Sequence, residues 1–188
     1  MTSRYTLPTK SEIWFSELIE FGYPLFTQQQ IKLAVLRLAR QLSEDLTSPI
    51  ECVILMNGAY QLASDLSKVL SNKAVFNFMR ISRYQHDTPG ELDFRQLQQL
   101  KLISSAKEVL IIDDVYDEGI TLTRVLNTLQ HNYPDRVFKT LVLIKKERQQ
   151  TYNPDYIGFT INPELYLFGY GMDLDNQWRH LPEVWVKT

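Results

Sequence analysis

Cysteine is almost absent from this chain: Cys52 is the only one. A single thiol excludes an intrachain disulfide framework and a cysteine-rich zinc site. It stands in the apolar run Glu51-Cys52-Val53-Ile54-Leu55-Met56, a setting that suits a small core residue. Excess charge of either sign is missing too. Twenty basic residues stand against 22 acidic ones, so the chain has no global pull toward nucleic acid or a membrane surface. Its apolar runs fall far short of the ~20 residues that a membrane helix needs. Met1 to Lys10 holds no apolar run, so no secretory signal is expected and the cytoplasm is the default location. His86, His131 and His180 show no metal-binding spacing, and there is no internal repeat or low-complexity segment.

What remains is an ordinary globular composition over 188 residues, enough for one domain spanning 1–188. Residues 11–20 and 28–46 have helical spacing; Ile31, Val35, Leu38 and Leu42 share a face, and Thr27 is the candidate N-cap. Short apolar runs then recur at 52–55, 74–79, 109–112 and 140–144. Amphipathic segments lie between them at 59–70 and 120–132. Strand–helix–strand spacing predicts an α/β fold: a parallel twisted sheet flanked by helices. The polar stretch from Ser82 to Gln99, with Pro89-Gly90, reads as an active-site flap or an exposed connector. The aromatic tail from Tyr156 to Thr188 breaks the rhythm and reads as a hood beside the sheet, most of its rings in core positions.

The sharpest chemical signal runs from Val109 to Leu122. A buried strand leads to Asp113 and Asp114, and Asp117, Gly119 and Thr121 follow before a helix. Ligands of parallel α/β sheets bind at the carboxyl ends of strands. Unpaired amides at the next helix start favour an anion, and Gly119 permits close backbone approach. Carboxylates beside a phosphate cradle suit sugar hydroxyls or a metal ion. The local chemistry equally fits a response-regulator acidic pocket or an acidic strand end with no role.

The segment resembles the phosphoribosyl pyrophosphate (PRPP) motif of type I phosphoribosyltransferases: an apolar strand, two acidic residues, two apolar positions, then Asp-x-Gly-x-Thr. Other stretches resemble the hypoxanthine-guanine branch in the same order, from about residue 51 onward: Val53 to Gly58, Ile81 to Tyr84, Lys145, and Tyr166 to Arg179. The resemblance implies that fold, with a small hood from about 1–25 and 152–188. It also implies magnesium-dependent transfer of phosphoribosyl from PRPP to hypoxanthine or guanine, giving IMP or GMP, by a homodimer or homotetramer. A xanthine-preferring enzyme and an RNA-binding regulator on the same fold are its alternatives; the charge balance gives no hint of the latter.

By resemblance, Asp113 and Asp114 hold the ribose hydroxyls, directly or through magnesium, and Asp117 is the general base near purine N7. Glu118, Gly119, Ile120, Thr121 and Leu122 cradle the 5′-phosphate. Leu55, Met56, Asn57 and Gly58 form the pyrophosphate loop, with Arg179. Lys145 donates to purine O6, Tyr166 stacks on the base, and the Leu167 backbone pairs with its edge. Asp173, grouped with the purine-binding residues, holds the pyrophosphate-side magnesium. Arg83 and Tyr84 belong to the flap. Departures from the common pattern are Asp113 for Glu, Glu118 for Thr, Ile120 for Lys and Met56-Asn57 for Lys-Gly, marks of a bacterial sub-branch.

Overall fold

The structure is a computed structural model that describes residues 18–46, 49–70, 73–83, 92–93, 97, 100–102, 105–150 and 152–188. Its centre is a five-stranded sheet of parallel neighbours. The strands are β2 (Ile50–Met56), β3 (Ala74–Arg80), β6 (Glu108–Tyr116), β7 (Val137–Lys146) and β8 (Tyr156–Ile161), in the order β3-β2-β6-β7-β8. Both faces are covered. Cys52, Ile54, Leu110 and Ile112 pack with α1 (Gln28–Asp45) and α2 (Tyr60–Val69) on one side. Val53, Leu55, Val109 and Ile111 pack with α3 (Ile120–Asn132) on the other. The odd–even split of each strand's residues is the pleat expressed as two cores, which explains why these strands read as unbroken apolar runs.

Helix α1 starts where Thr27 caps it. Its hydroxyl accepts from the Gln30 amide at 3.3 Å while the Gln30 side chain accepts from the Thr27 amide at 2.9 Å, a reciprocal capping box. Leu38 and Leu42 on its inner face are fully buried. Truncating either to alanine should cost about 2–5 kcal/mol. Cys52 is buried as expected, and burial pushes its thiol up to about 12, which makes it inert as a nucleophile at neutral pH. Among the described residues, no helix is long and apolar enough to cross a membrane.

A second, antiparallel sheet joins β1 (Gly22–Phe26), β10 (Val184–Lys187) and β9 (Leu167–Phe168). Leu18, Phe168, Leu174, Leu181 and Trp185 form its own small core. This layer corresponds to the expected hood, but its boundary moves. Tyr156–Ile161 is the fifth strand of the main sheet. Residues 147–155 link β7 to its parallel neighbour, and the described residues among them hold no helix, where such crossovers usually carry one. Of the expected first helix, residues 18–21 are helical, and 11–17 lie outside the described residues. In the flap region β4 (Ser82–Arg83) pairs with β5 (Leu92–Asp93).

Candidate active site

The site follows from strand order. The step from β2 to β3 goes to one side of the sheet and the step from β6 to β7 to the other, so a switch point lies between β2 and β6. These two strands pair only as far as Ile54 opposite Ile112. Beyond that rung they diverge, and a cavity of about 350 Å³ opens at their carboxyl ends. Its walls bring together Leu55, Met56, Asn57 and Gly58 after β2; Asp113, Asp114 and Thr121 from β6 and α3; and Asp173 and Arg179 from the hood segment. Ile81, Val115 and Met172 complete it. Nine residues expected from separate stretches of sequence thus share one cavity.

Close packing fixes the pyrophosphate-loop candidate. A Cβ on Gly58 would fall 2.0 Å from Asp114 Oδ2, and a Cβ on Gly171 would fall 2.0 Å from the Gly58 carbonyl. The loop is therefore held between the acidic strand and the hood, and glycine is needed at both contacts. The Met56–Asn57 peptide is cis.

The acidic pair sits within β6 rather than at its end, since the strand continues to Tyr116. Asp113 Oδ1 accepts from the Asp114 amide at 3.0 Å, and Asp114 Oδ1 from the Val115 amide at 2.9 Å. Burial, and next the Asp114 charge beside it, hold Asp113 well above the usual carboxylate range. Burial also raises Asp114, offset in part by hydrogen bonds from the Asp113 side chain and nearby amides and by the Arg179 charge. Two carboxylates this close resist carrying two negative charges without a cation. Asp173 has its own partners: Arg179 Nη2 lies 2.6 Å from its Oδ1, and the Asn176 amide donates to its Oδ2 at 2.9 Å. Among the described residues, no three acidic, His or Cys side chains gather closely enough to cage a metal alone.

The phosphate-cradle candidate begins at Gly119, whose φ of 79° lies in the left-handed region and which forms the N-cap of α3. A Cβ there would meet Tyr116 Oη at 2.4 Å. The first amides of α3, from Ile120 to Leu122, have no intrahelical acceptor and point toward the loop. The side chains go elsewhere: Glu118 and Ile120 are exposed, and Leu122 is buried in the core beneath α3. Of residues 118–122 only Thr121 lines the cavity.

Asp117 is not among the residues lining this cavity and stands between two cations. Lys146 Nζ is 2.6 Å from its Oδ2 and Arg148 Nε is 2.7 Å from its Oδ1. Partial burial works to raise this carboxyl, but the bonds from Lys146 and Arg148 outweigh it and hold it below the usual range. Asp117 is therefore ionised at neutral pH. Lys145, expected to be the purine-reading lysine, faces away: its ammonium donates to Asn153 Oδ1. Consecutive residues of a strand point to opposite sides, so only one of the two lysines reaches Asp117, and it is Lys146. Arg148 and Gln150, whose side-chain amide donates to the Asp117 carbonyl, carried no motif. Their partner lies some thirty residues upstream, a distance no local pattern bridges.

In the hood, Leu167 pairs with Val186 in β9–β10 and is buried, while Tyr166 is 56% exposed with Lys187 Nζ 5.8 Å over its ring. Arg83 belongs to β4, and Tyr84 lies outside the described residues.

Residues 24–177 match the family model described as phosphoribosyl transferase domain. The chain is 32% identical over 166 residues to the hypoxanthine-guanine phosphoribosyltransferase of Aquifex aeolicus, covering 86% of this chain and 92% of the relative. It is 30% identical to the hypoxanthine phosphoribosyltransferase of Escherichia coli K12, covering 85% and 92%. In three dimensions it superposes on Trypanosoma cruzi hypoxanthine phosphoribosyltransferase in complex with the product IMP. The TM-score is 0.71 at 26% identity, over 90% of this chain and 96% of that one. With the parallel sheet and its switch-point cavity already described, these matches establish that the chain belongs to the phosphoribosyltransferase family and is an enzyme of that class.

Proposed function

We propose that the chain transfers a phosphoribosyl group from PRPP to a 6-oxo purine, hypoxanthine or guanine, giving IMP or GMP and pyrophosphate. The observation that carries this is the cavity itself: the Leu55–Gly58 loop, Asp113, Asp114, Thr121, Asp173 and Arg179 meet at the switch point in a chain of this family.

The residues divide the work. Purine N9 forms a bond to ribose C1′ while the C1′–oxygen bond to pyrophosphate breaks. Positive charge develops on the sugar and negative charge on the leaving group. Asp113 and Asp114 face the sugar; Arg179 faces the leaving group and steadies its charge. The α3 amides and Thr121 hold the 5′-phosphate, and Tyr166 offers an exposed ring for the base to stack on.

Asp117 meets the purine at N7. Its low pKa makes it a weak base but a firm acceptor, suited to taking the N7 proton that the ring must lose as N9 bonds to C1′. The O6 donor is assigned to Lys146 in place of Lys145. O6 and N7 lie on the same edge of a purine, so their partners must be neighbours, and Lys146 is the lysine that touches Asp117. An ammonium donor at O6 disfavours adenine, which presents a donor there.

Magnesium fits the donor set. It binds through one or two carboxylates completed by water and substrate phosphate rather than an all-protein cage, and the cavity offers paired Asp113–Asp114 and, across it, Asp173. When bound, it neutralises phosphate charge.

The test is PRPP consumption with a panel of free bases. Turnover is expected with hypoxanthine and guanine and little or none with adenine; a dominant rate with xanthine would move the assignment to a xanthine-preferring enzyme. Equal rates with adenine would refute the purine pocket.

A further inference from the structure

The crossover from β7 to β8 contacts the loop that bears Asp117 through Arg148 and Gln150. Two hydrogen bonds and a longer ion-pair contact converge on the Arg148 guanidinium. Nε is 2.7 Å from Asp117 Oδ1, Nη2 donates to the Pro163 carbonyl at 3.0 Å, and Nη1 stands 3.8 Å from Glu164 Oε1. Gln150, two residues on, donates to the Asp117 carbonyl. The crossover is itself anchored. Tyr116 Oη donates to the Tyr152 carbonyl at 2.7 Å, the Tyr152 hydroxyl meets Thr140 at 2.8 Å and Asp155 at 3.0 Å, and the Glu147 amide donates to Ile161 at 2.9 Å. Arg148 thus projects from a braced segment.

The Asp117 carboxylate is divided between its two cations, Oδ1 to Arg148 and Oδ2 to Lys146. If Lys146 turns to purine O6, Oδ2 is released toward N7 while Oδ1 keeps its partner. We propose that Arg148 is a positioning residue: it pins Oδ1 so that Asp117 meets the purine through Oδ2 alone. Through Pro163 it also ties that carboxylate to the segment leading into the base-stacking Tyr166. This rests on the role assigned to Asp117 above. The guanidinium suits the task because its donors form a rigid planar fork, whereas lysine's ammonium is a single mobile point. The charged groups facing Asp117 are Lys146 from β7 and Arg148 from the crossover; Glu118 is adjacent in the chain and Glu164 lies beyond Arg148. The two cations prevail, in keeping with the low pKa of Asp117.

The experiment compares wild type, Arg148→Gln, Arg148→Lys and Asp117→Asn with hypoxanthine and PRPP, reading kcat, both KM values and the pH profile of kcat. Circular dichroism checks folding. A carboxylate that must be ionised supports turnover above its pKa and loses it below. Removing a cation raises that pKa, so the acid limb should move to higher pH in Arg148→Gln. Its kcat should fall roughly 10- to 100-fold, the cost of a misplaced reacting group, with the PRPP KM unchanged within about twofold. Arg148→Lys should recover part of both effects, which a purely structural brace would not allow. If Arg148→Gln does not fold, Arg148→Lys alone decides: a reduced kcat with a near-native limb supports the proposal, and a wild-type kcat overturns it. An Arg148→Gln enzyme with wild-type kcat and limb, beside an impaired Asp117→Asn, refutes Arg148's role while leaving the assigned activity standing. A kcat loss with an unmoved limb and no relief by lysine refutes it equally. A folded wild type with no PRPP turnover on any purine overturns the assigned activity, and the proposal falls with it.

Discussion

Replacing Lys146 by alanine removes a side chain that is 11% exposed and whose ammonium lies 2.6 Å from Asp117 Oδ2. If that group donates to purine O6, the loss is one hydrogen bond from a charged donor in a sheltered position, about 1.5–3 kcal/mol. That converts to roughly 10- to 150-fold in kcat/KM for hypoxanthine. Asp117 also keeps only one of its two cations, so the acid limb of the rate should rise in pH. Lys145→Ala removes a contact to Asn153 at the exposed side of the same strand end. Exposed substitutions of this kind stay within about 0.5 kcal/mol, little more than a factor of two. The assay is steady-state conversion of hypoxanthine to IMP at several PRPP concentrations, with adenine as a second substrate. Lys146→Ala should narrow the preference for hypoxanthine over adenine, because the group that rewards an oxygen at position 6 is gone. A crippled Lys145→Ala beside an active Lys146→Ala would refute the assignment and return O6 to Lys145.

Asp117→Asn should lower kcat by ~10², the low end of the general-base range because the native carboxyl is so weak a base, with the PRPP KM nearly intact; Asp114→Asn should raise that KM as well. Steady-state kinetics on both variants separates the two roles, and wild-type kcat in Asp117→Asn would end the N7 assignment. Excess chelator should abolish turnover and added magnesium restore it; full activity in chelator would contradict the carboxylate roles. Gly58→Ala would drive a methyl group into the Asp114 carboxylate, 2.0 Å away, so PRPP binding should weaken by calorimetry while the melting temperature falls. Phe78 stands 63% exposed on the edge strand β3, an apolar side chain suited to a second subunit, and light scattering at micromolar concentration should return a homo-oligomer; a purely monomeric mass would count against that surface.

Legibility in the sequence followed the range of the interactions involved. The Thr27 cap and helices α1 to α3 are local patterns, and each lies within a residue or so of where its spacing places it; the acidic strand is one too, though it runs on past its carboxylates to Tyr116. The Leu55–Gly58 loop and Asp173–Arg179 were legible as stretches of a resembled family, but their meeting in one cavity depends on strand order, which no window of sequence contains. The choice between Lys145 and Lys146 turns on strand parity. A run that is apolar on both faces gives no phase from which to count, so resemblance pointed to Lys145 while the lysine that contacts Asp117 is Lys146. Tyr156–Ile161 escaped for a related reason: without a helix before it, its aromatic run looked like part of the hood. Arg148 was silent because its partner is Asp117, 31 positions away.

The Arg179–Asp173 bridge has a thermodynamic consequence. Arg179, proposed to meet pyrophosphate, and Asp173, proposed to meet magnesium, satisfy each other at 2.6 Å. Pyrophosphate arriving alone would take Arg179 and strand Asp173; a metal arriving alone would do the reverse. Each ligand alone would forfeit part of its binding energy to the bridge, and only their joint arrival gives both groups a replacement. The two affinities should therefore be linked, and linkage is reciprocal: whatever factor magnesium adds to pyrophosphate binding, pyrophosphate must add to magnesium binding. If the two groups take those roles, the bridge would favour the complete metal–pyrophosphate pair over either half of it.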